Sequence, residues 1–239
     1  MRTENFSNKQ NGRYWWHKMY PHDPPVYTTL SDEEWSVLDD WFTETDKGGP
    51  GELAIPFMSV YLGFVGGSCL SPLVECGGYH GYSAMLTGFE MRRMGQPKSF
   101  VSVELQSHHC EKMRYWIDKA GLNDYVHVLG ASSIDPNTCN QVLDYLGREP
   151  QAILLDSVHD YDFKLQELNL WYPHLQNNGF IFAHDTSEKC QVGKGDRIEL
   201  SKQWKMDHPE CECMNINKQI TTQPWTYKDG QGMLIVQKF

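Results

Sequence analysis

Five short apolar runs divide the middle of this chain: Pro72–Cys76, Phe100–Glu104, Tyr125–Leu129, Ala152–Asp156 and Phe180–Ala183. The stretches between them read as helices. Short strands alternating with helices predict a parallel, doubly wound sheet covered by helices on both faces. Such sheets bind ligands beyond the carboxyl ends of their strands. Glu75, Glu104 and Asp156 fall at predicted strand ends, and His184-Asp185 follows the fifth run. The alternation therefore predicts that four acids converge on one edge.

The first strand runs into Glu75-Cys76-Gly77-Gly78-Tyr79-His80-Gly81-Tyr82-Ser83. Glycines let a backbone approach a ligand closely, and the helix that follows offers free N–H groups at its start. The spacing departs from a dinucleotide fingerprint, because Tyr79 stands where a middle glycine would let a pyrophosphate approach. A carboxylate at Glu75 would also repel a pyrophosphate, whereas it could pair with a positively charged ligand group, directly or through a water. Glu104, at the end of the second strand, suits a pair of ribose hydroxyls.

Composition narrows the partners. A net charge of −10 disfavours a nucleic-acid partner, which needs clustered Lys and Arg. No apolar run approaches the ~20 residues of a membrane-spanning helix. The polar start, Met1 to Gly12, lacks a signal-peptide core, so cytoplasmic residence is the expectation. Seven scattered cysteines, an odd number, predict reduced thiols, and Cys211-Glu212-Cys213 lacks the partner pair of a zinc site. A small-molecule partner remains. Homo-oligomers are compatible with all of this.

The flanks divide into an N-terminal region, 1–67, and a core, 68–239. Tyr14-Trp15-Trp16 predicts an arm packed on the core or part of a substrate lid. Ser31-Asp32-Glu33-Glu34 has the capping-box form and predicts a helix over Asp32–Thr45, broken at Lys47–Gly51. A second helix is expected over Glu52–Phe64. Ser107 is expected to cap a helix running to Ala120, and Asp135-Pro136 to start one running to Leu146. A further helix is expected over Asp162–Tyr172. Residues 186–210, with a helix over Asp196–Met206, are a candidate lid. Strands Cys213–Ile220 and Gly232–Lys238, joined through a turn at Gly230–Gly232, are expected to finish the sheet with an antiparallel last strand at or near its edge.

The glycine stretch resembles the first motif of class I S-adenosylmethionine-dependent methyltransferases, an acid-x-Gly-x-Gly-x-Gly pattern with Tyr79 in place of the middle glycine. Leu154-Leu155-Asp156-Ser157-Val158-His159-Asp160-Tyr161-Asp162 and Asn178-Gly179-Phe180-Ile181-Phe182-Ala183-His184-Asp185-Thr186 resemble the branch holding macrolide and cephalosporin-pathway O-methyltransferases. Ser157 and Val158 replace that branch's Gly-Asp pair, and Asn178 replaces the first of two glycines. The resemblance implies a Rossmann-like, mostly parallel seven-stranded sheet with an antiparallel last strand and an N-terminal helical extension.

It further implies methyl transfer from S-adenosylmethionine to a hydroxyl, or less readily an amine, of a small molecule such as a sugar or secondary metabolite. The implied cofactor-binding residues are Glu75, Gly77, Tyr79, Gly81, Ser83, Glu104, Ala131, Ser132 and Asp156. Gly77 and Gly81 would pass the methionine end, where the bulk of Tyr79 narrows the turn. Ala131 and Ser132 would flank the adenine. His159 and Asp156 are the implied catalytic residues, with His159 as general base. Asp156 and Asp185, with His184, would hold Mg²⁺ if a metal takes part.

Each role has a plainer alternative. His159 can bond the helix that follows it, and His184-Asp185 can anchor a loop. His80 and the His108-His109 pair are expected at the surface, the pair no nearer than the adenine. A methyltransferase-like scaffold without activity and an NAD-dependent oxidoreductase are the competing functions.

Overall fold

The computed structural model describes residues 24–45, 53, 55–187, 192–216 and 232–239. The aromatic arm, the Lys47–Gly51 break, the start of the second expected helix and the 230–231 part of the last turn lie outside the described residues. Among the described residues the first elements are helices α1 (Pro25–Thr28), α2 (Asp32–Thr45) and α3 (Ile55–Gly67). Then come β1 (Leu73–Cys76), α4 (Tyr82–Arg93), β2 (Phe100–Glu104), α5 (Ser107–Lys119), β3 (His127–Gly130) and α6 (Pro136–Leu146). The chain continues through β4 (Ala152–Leu155), α7 (Tyr161–Trp171), β5 (Phe180–His184), α8 (Leu200–Asp207), β6 (Glu212–Ile216) and β7 (Met233–Gln237).

The seven strands form one sheet in the order β3-β2-β1-β4-β5-β7-β6. β1 to β5 are parallel, and β7 runs antiparallel to both β5 and β6. The last strand thus enters between β5 and β6, so β6 forms the edge. Alternate side chains of the strands feed two cores. Leu73, Phe100, Leu154 and Phe182 pack with the N-terminal helices, α4 and α5. Val74, Val101, Ile153 and Ile181 pack with α6, α7 and α8. Strand order reverses on either side of β1 and β4, which makes the gap beyond their carboxyl ends the switch point where such sheets bind ligands.

Local chemistry accounts for most boundaries. Ser31 and Glu34 close the expected capping box: Ser31 Oγ accepts from the Glu34 amide at 3.2 Å, and Glu34 Oε2 accepts from the Ser31 amide at 2.8 Å. Asp135 caps α6 by accepting from the Asn137 amide at 2.9 Å. The second helix runs past Phe64 through Gly66-Gly67. Its side chains dock on the sheet there, with the Tyr61 ring 5.2 Å from that of Phe182 and the Phe64 ring 5.2 Å from that of Phe180. Packing outweighs the low helix propensity of glycine.

Other boundaries move. Ser107 is the first residue of α5 and Gln106 its cap. β3 starts at His127, because the Tyr125 and Val126 amides are spent on a turn onto the Leu122 carbonyl. α8 starts at Leu200, because residues 192–199 are tied to the start of α7. Val192 pairs with Asp160, and Arg197 forms an ion pair with Asp162. Among the described residues the cysteines are free, and no helix is long and apolar enough to cross a membrane.

Candidate active site at the sheet's switch point

A cleft of about 270 Å³ opens beyond the carboxyl ends of β1, β2 and β4. That is near the lower end of small-molecule sites, ~300–1,000 Å³. Of the expected residues, Gly77, Tyr79, Glu104, Ala131, Ser132 and Asp156 line it together. Gly77 sits at φ +96°, and a Cβ there would come within 2.5 Å of the Asp156 carbonyl oxygen and the Ser157 Cα. Only glycine lets the β1 turn lie against the β4 loop.

Glu104 is buried at the tip of β2. Its Oε2 accepts from the Tyr79 amide at 3.0 Å and its Oε1 from the Gln106 amide at 2.8 Å. Each carboxylate oxygen keeps further acceptor capacity. The carboxylate is thus oriented before any ligand arrives and can still accept from a pair of hydroxyls. Tyr79 holds a left-handed backbone, φ 44°. Its ring stacks on His80 at 3.9 Å and meets His109 at 4.3 Å, so its bulk turns toward the start of α5. His80 is buried instead of exposed, and its carbonyl accepts from Trp41 Nε1 of α2 at 2.9 Å. Burial, aided by nearby Lys112, pushes the His80 imidazole down to about 4. His109 also lines the cleft, while His108 is exposed.

Glu75, Gly81 and Ser83 lie away from the cleft surface. Glu75 is fully buried under the turn, where Ser102 Oγ donates to its Oε2 at 2.5 Å and Ser83 sits beside it. Burial raises its carboxyl to about 7, and it stands behind the turn instead of at the cleft surface. Gly81 caps α4 at φ +89° and faces Met113 of α5.

At the other side of the switch point the implied catalytic residues form a chain. His184 Nδ1 donates to Asp156 Oδ1 at 2.8 Å and lies 3.2 Å from Asp185 Oδ2. The same Asp185 oxygen is 2.8 Å from His159 Nδ1. His184 and Asp185 are buried, while more than half of the His159 side chain is exposed. Burial opposes charge on His184, yet Asp156 and Asp185 outweigh it and hold the imidazole up at about 9. Asp185 is likewise desolvated, but the two histidines hold its carboxyl well below the usual range. The hydrogen bond from His159 to Asp185 raises the His159 pKa despite partial burial.

Asp156, His184 and Asp185 bring ligand atoms within 4.8 Å of one another, a cluster that is a formal candidate for a metal. Asp156 Oδ1 and Asp185 Oδ2 each lie 2.8 Å from an imidazole nitrogen, of His184 and His159, whereas Asp185 Oδ1 is buried without a hydrogen-bond partner and is the oxygen a hard cation such as Mg²⁺ would take.

Sequence reasoning missed Val103, Leu105, Gln106, Ser133, Ser157, Val158 and Phe163 in the lining. Most stand next to an expected residue. The sequence carries a clear signal for Ser133, in the Ala131-Ser132-Ser133 run.

The family model described as "Methyltransferase domain" matches residues 74–186. No curated protein matches the chain. Among solved structures, an O-methyltransferase from Bacillus cereus in complex with SAH aligns over 95% of this chain and 100% of its own, with TM-score 0.70 and 14% identity. A putative caffeoyl-CoA O-methyltransferase from Staphylococcus aureus aligns over 95% and 99%, with TM-score 0.64 and 10% identity. The O-methyltransferase TomG from Streptomyces achromogenes, involved in tomaymycin synthesis and solved with SAM, aligns over 96% and 99%, with TM-score 0.63 and 12% identity. Residues 74–186 of this chain thus match a methyltransferase-domain model, and its fold is the one these O-methyltransferase structures share.

Proposed function

We propose that this protein transfers a methyl group from S-adenosylmethionine to a hydroxyl of a small molecule. One observation carries the reading: the cleft that presents the Glu104 carboxylate ends beside a histidine oriented by a buried aspartate. A ribose binder and a proton acceptor therefore share one switch point.

S-adenosylmethionine, when bound, supplies a methyl group on a positively charged sulfur. The chain's own residues supply the rest. Glu104 accepts hydrogen bonds from the ribose hydroxyls, and the Gly77 turn gives the ligand room against the backbone. Ala131 and Ser132 flank the adenine. His159 takes the proton of the acceptor hydroxyl on Nε2, because Asp185 holds the Nδ1 side and thereby sets the tautomer. The oxygen so freed of its proton would meet the methyl carbon of the bound cofactor, whose sulfur would leave as a neutral thioether. His184 acts behind this pair, holding Asp185 and Asp156 in place. Residues 192–199, tied to the start of α7 beside His159, lie where they can border the acceptor side.

Isothermal titration with S-adenosylmethionine and with its demethylated product tests the reading. Saturable binding that Glu104→Ala weakens by roughly 100-fold or more is the expected result. Absence of binding by either ligand to the wild-type chain would end it.

A further inference from the structure

The inner face of α7 carries charge where a helix packed on a sheet usually carries hydrocarbon. Lys164 and Glu167 are buried, at 1% and 0% exposure, one turn apart. Lys164 Nζ donates to the carbonyl of Leu155, the last residue of β4, at 3.1 Å and lies 3.5 Å from Glu167 Oε2. Glu167 Oε1 accepts from two hydroxyls, Ser133 Oγ and Ser157 Oγ, both at 2.6 Å. One turn further on, Trp171 Nε1 donates to the Ser133 carbonyl at 2.9 Å.

Ser133 belongs to the loop after β3 and Ser157 to the loop after β4. Both loops line the cleft, whereas Glu167 does not. A single carboxylate oxygen therefore ties together two walls of the cleft from behind. Burying an ion pair is a poor way to gain stability, since well-packed apolar residues of similar volume do as well or better. What this pair supplies that hydrocarbon cannot is a directional acceptor for two loop hydroxyls.

We infer that Glu167, braced by Lys164, is a positioning residue that sets the separation of the Ser132-Ser133 and Asp156-Ser157 loops and so pre-forms the adenosyl end of the cleft. The inference rests on the cofactor reading above. Glu167 touches no ligand and acts through Ser133 and Ser157.

The test separates positioning from stability. The double variant Lys164→Met/Glu167→Leu removes both charges together and leaves neither buried alone. It should melt within a few degrees of wild type, yet bind S-adenosylhomocysteine about tenfold more weakly or worse, the scale of lost supporting hydrogen bonds around a site. Ser133→Ala/Ser157→Ala keeps the ion pair and removes only the ties. It should lose affinity in the same measure, and it decides the matter if the first variant does not fold. Amide exchange at residues 131–134 and 156–158, measured without ligand, should quicken in both. Folded variants with wild-type affinity and wild-type exchange would overturn the inference. A wild-type chain that binds no S-adenosylhomocysteine would instead sink the cofactor reading, and the exchange rates would still decide whether Glu167 orders the two loops.

Discussion

His159 Nδ1 lies 2.8 Å from Asp185 Oδ2, so a half-exposed imidazole is held by a buried carboxylate at the mouth of the site. His159→Ala should lower turnover of S-adenosylmethionine by about 100-fold or more, the usual scale of general-base catalysis. Cofactor affinity from calorimetry should stay within about twofold of wild type, because His159 is outside the cofactor cleft. Equal losses in both would make the histidine structural.

The same pair sets the pH dependence. A general base works when neutral, and Asp185 raises the His159 pKa. Turnover should therefore rise with pH through a value above the ordinary ~6.5 of histidine. Asp185→Asn removes the charge that favours the imidazolium, so this limb should move to lower pH while the plateau falls. A pH–rate profile that the substitution leaves in place would assign the limb to another group.

Glu104 offers a different readout. Each hydrogen bond to a charged group contributes about 1.5–3 kcal/mol, so loss of two should weaken binding of S-adenosylhomocysteine by roughly 100-fold or more in Glu104→Ala. Glu104→Gln, which keeps acceptor oxygen but no charge, should fall between. Unaltered affinity in both would remove the ribose role.

Gly77 tests the close approach of turn and loop. An alanine would have to hold φ +96° with its Cβ against backbone atoms of Asp156 and Ser157. Gly77→Ala should cost roughly 3 kcal/mol or more of stability in urea unfolding, combining backbone strain and overlap. A neutral result would mean that the β4 loop yields freely.

Glu75 predicts a stability that depends on pH. Burial raises its carboxyl from 4.5 to about 7. Between these values the folded chain holds a proton that the unfolded chain releases, so this group's contribution falls as pH rises through about 7. Glu75→Gln removes that dependence. Its unfolding free energy relative to wild type should improve by roughly 3 kcal/mol between about pH 4 and pH 8, from 1.36 kcal/mol per pKa unit. A constant difference across that range would mean that Glu75 stays near its ordinary value.

The sequence by itself determined the sheet and most of the cleft. Alternating apolar runs and helical spacing depend on local periodicity, and strand ends follow from it. Glu104 and Asp156 were legible because each stands at such an end and Gly77 because it opens the glycine turn, while Ala131 and Ser132 came only with the methyltransferase resemblance. Tertiary structure alone decided how deep each acid lies. Glu75 and Glu104 both sit at or next to a strand end. Pleat and turn bury Glu75 beside Ser102, while Glu104 faces the cleft. The Asp156–His184–Asp185–His159 chain joins residues up to 29 positions apart, a pairing that only the parallel register of β4 on β5 creates. Lys164 and Glu167 lie buried because α7 turns that face toward the sheet. Depth and facing are properties of packing between distant segments, and no local pattern encodes them.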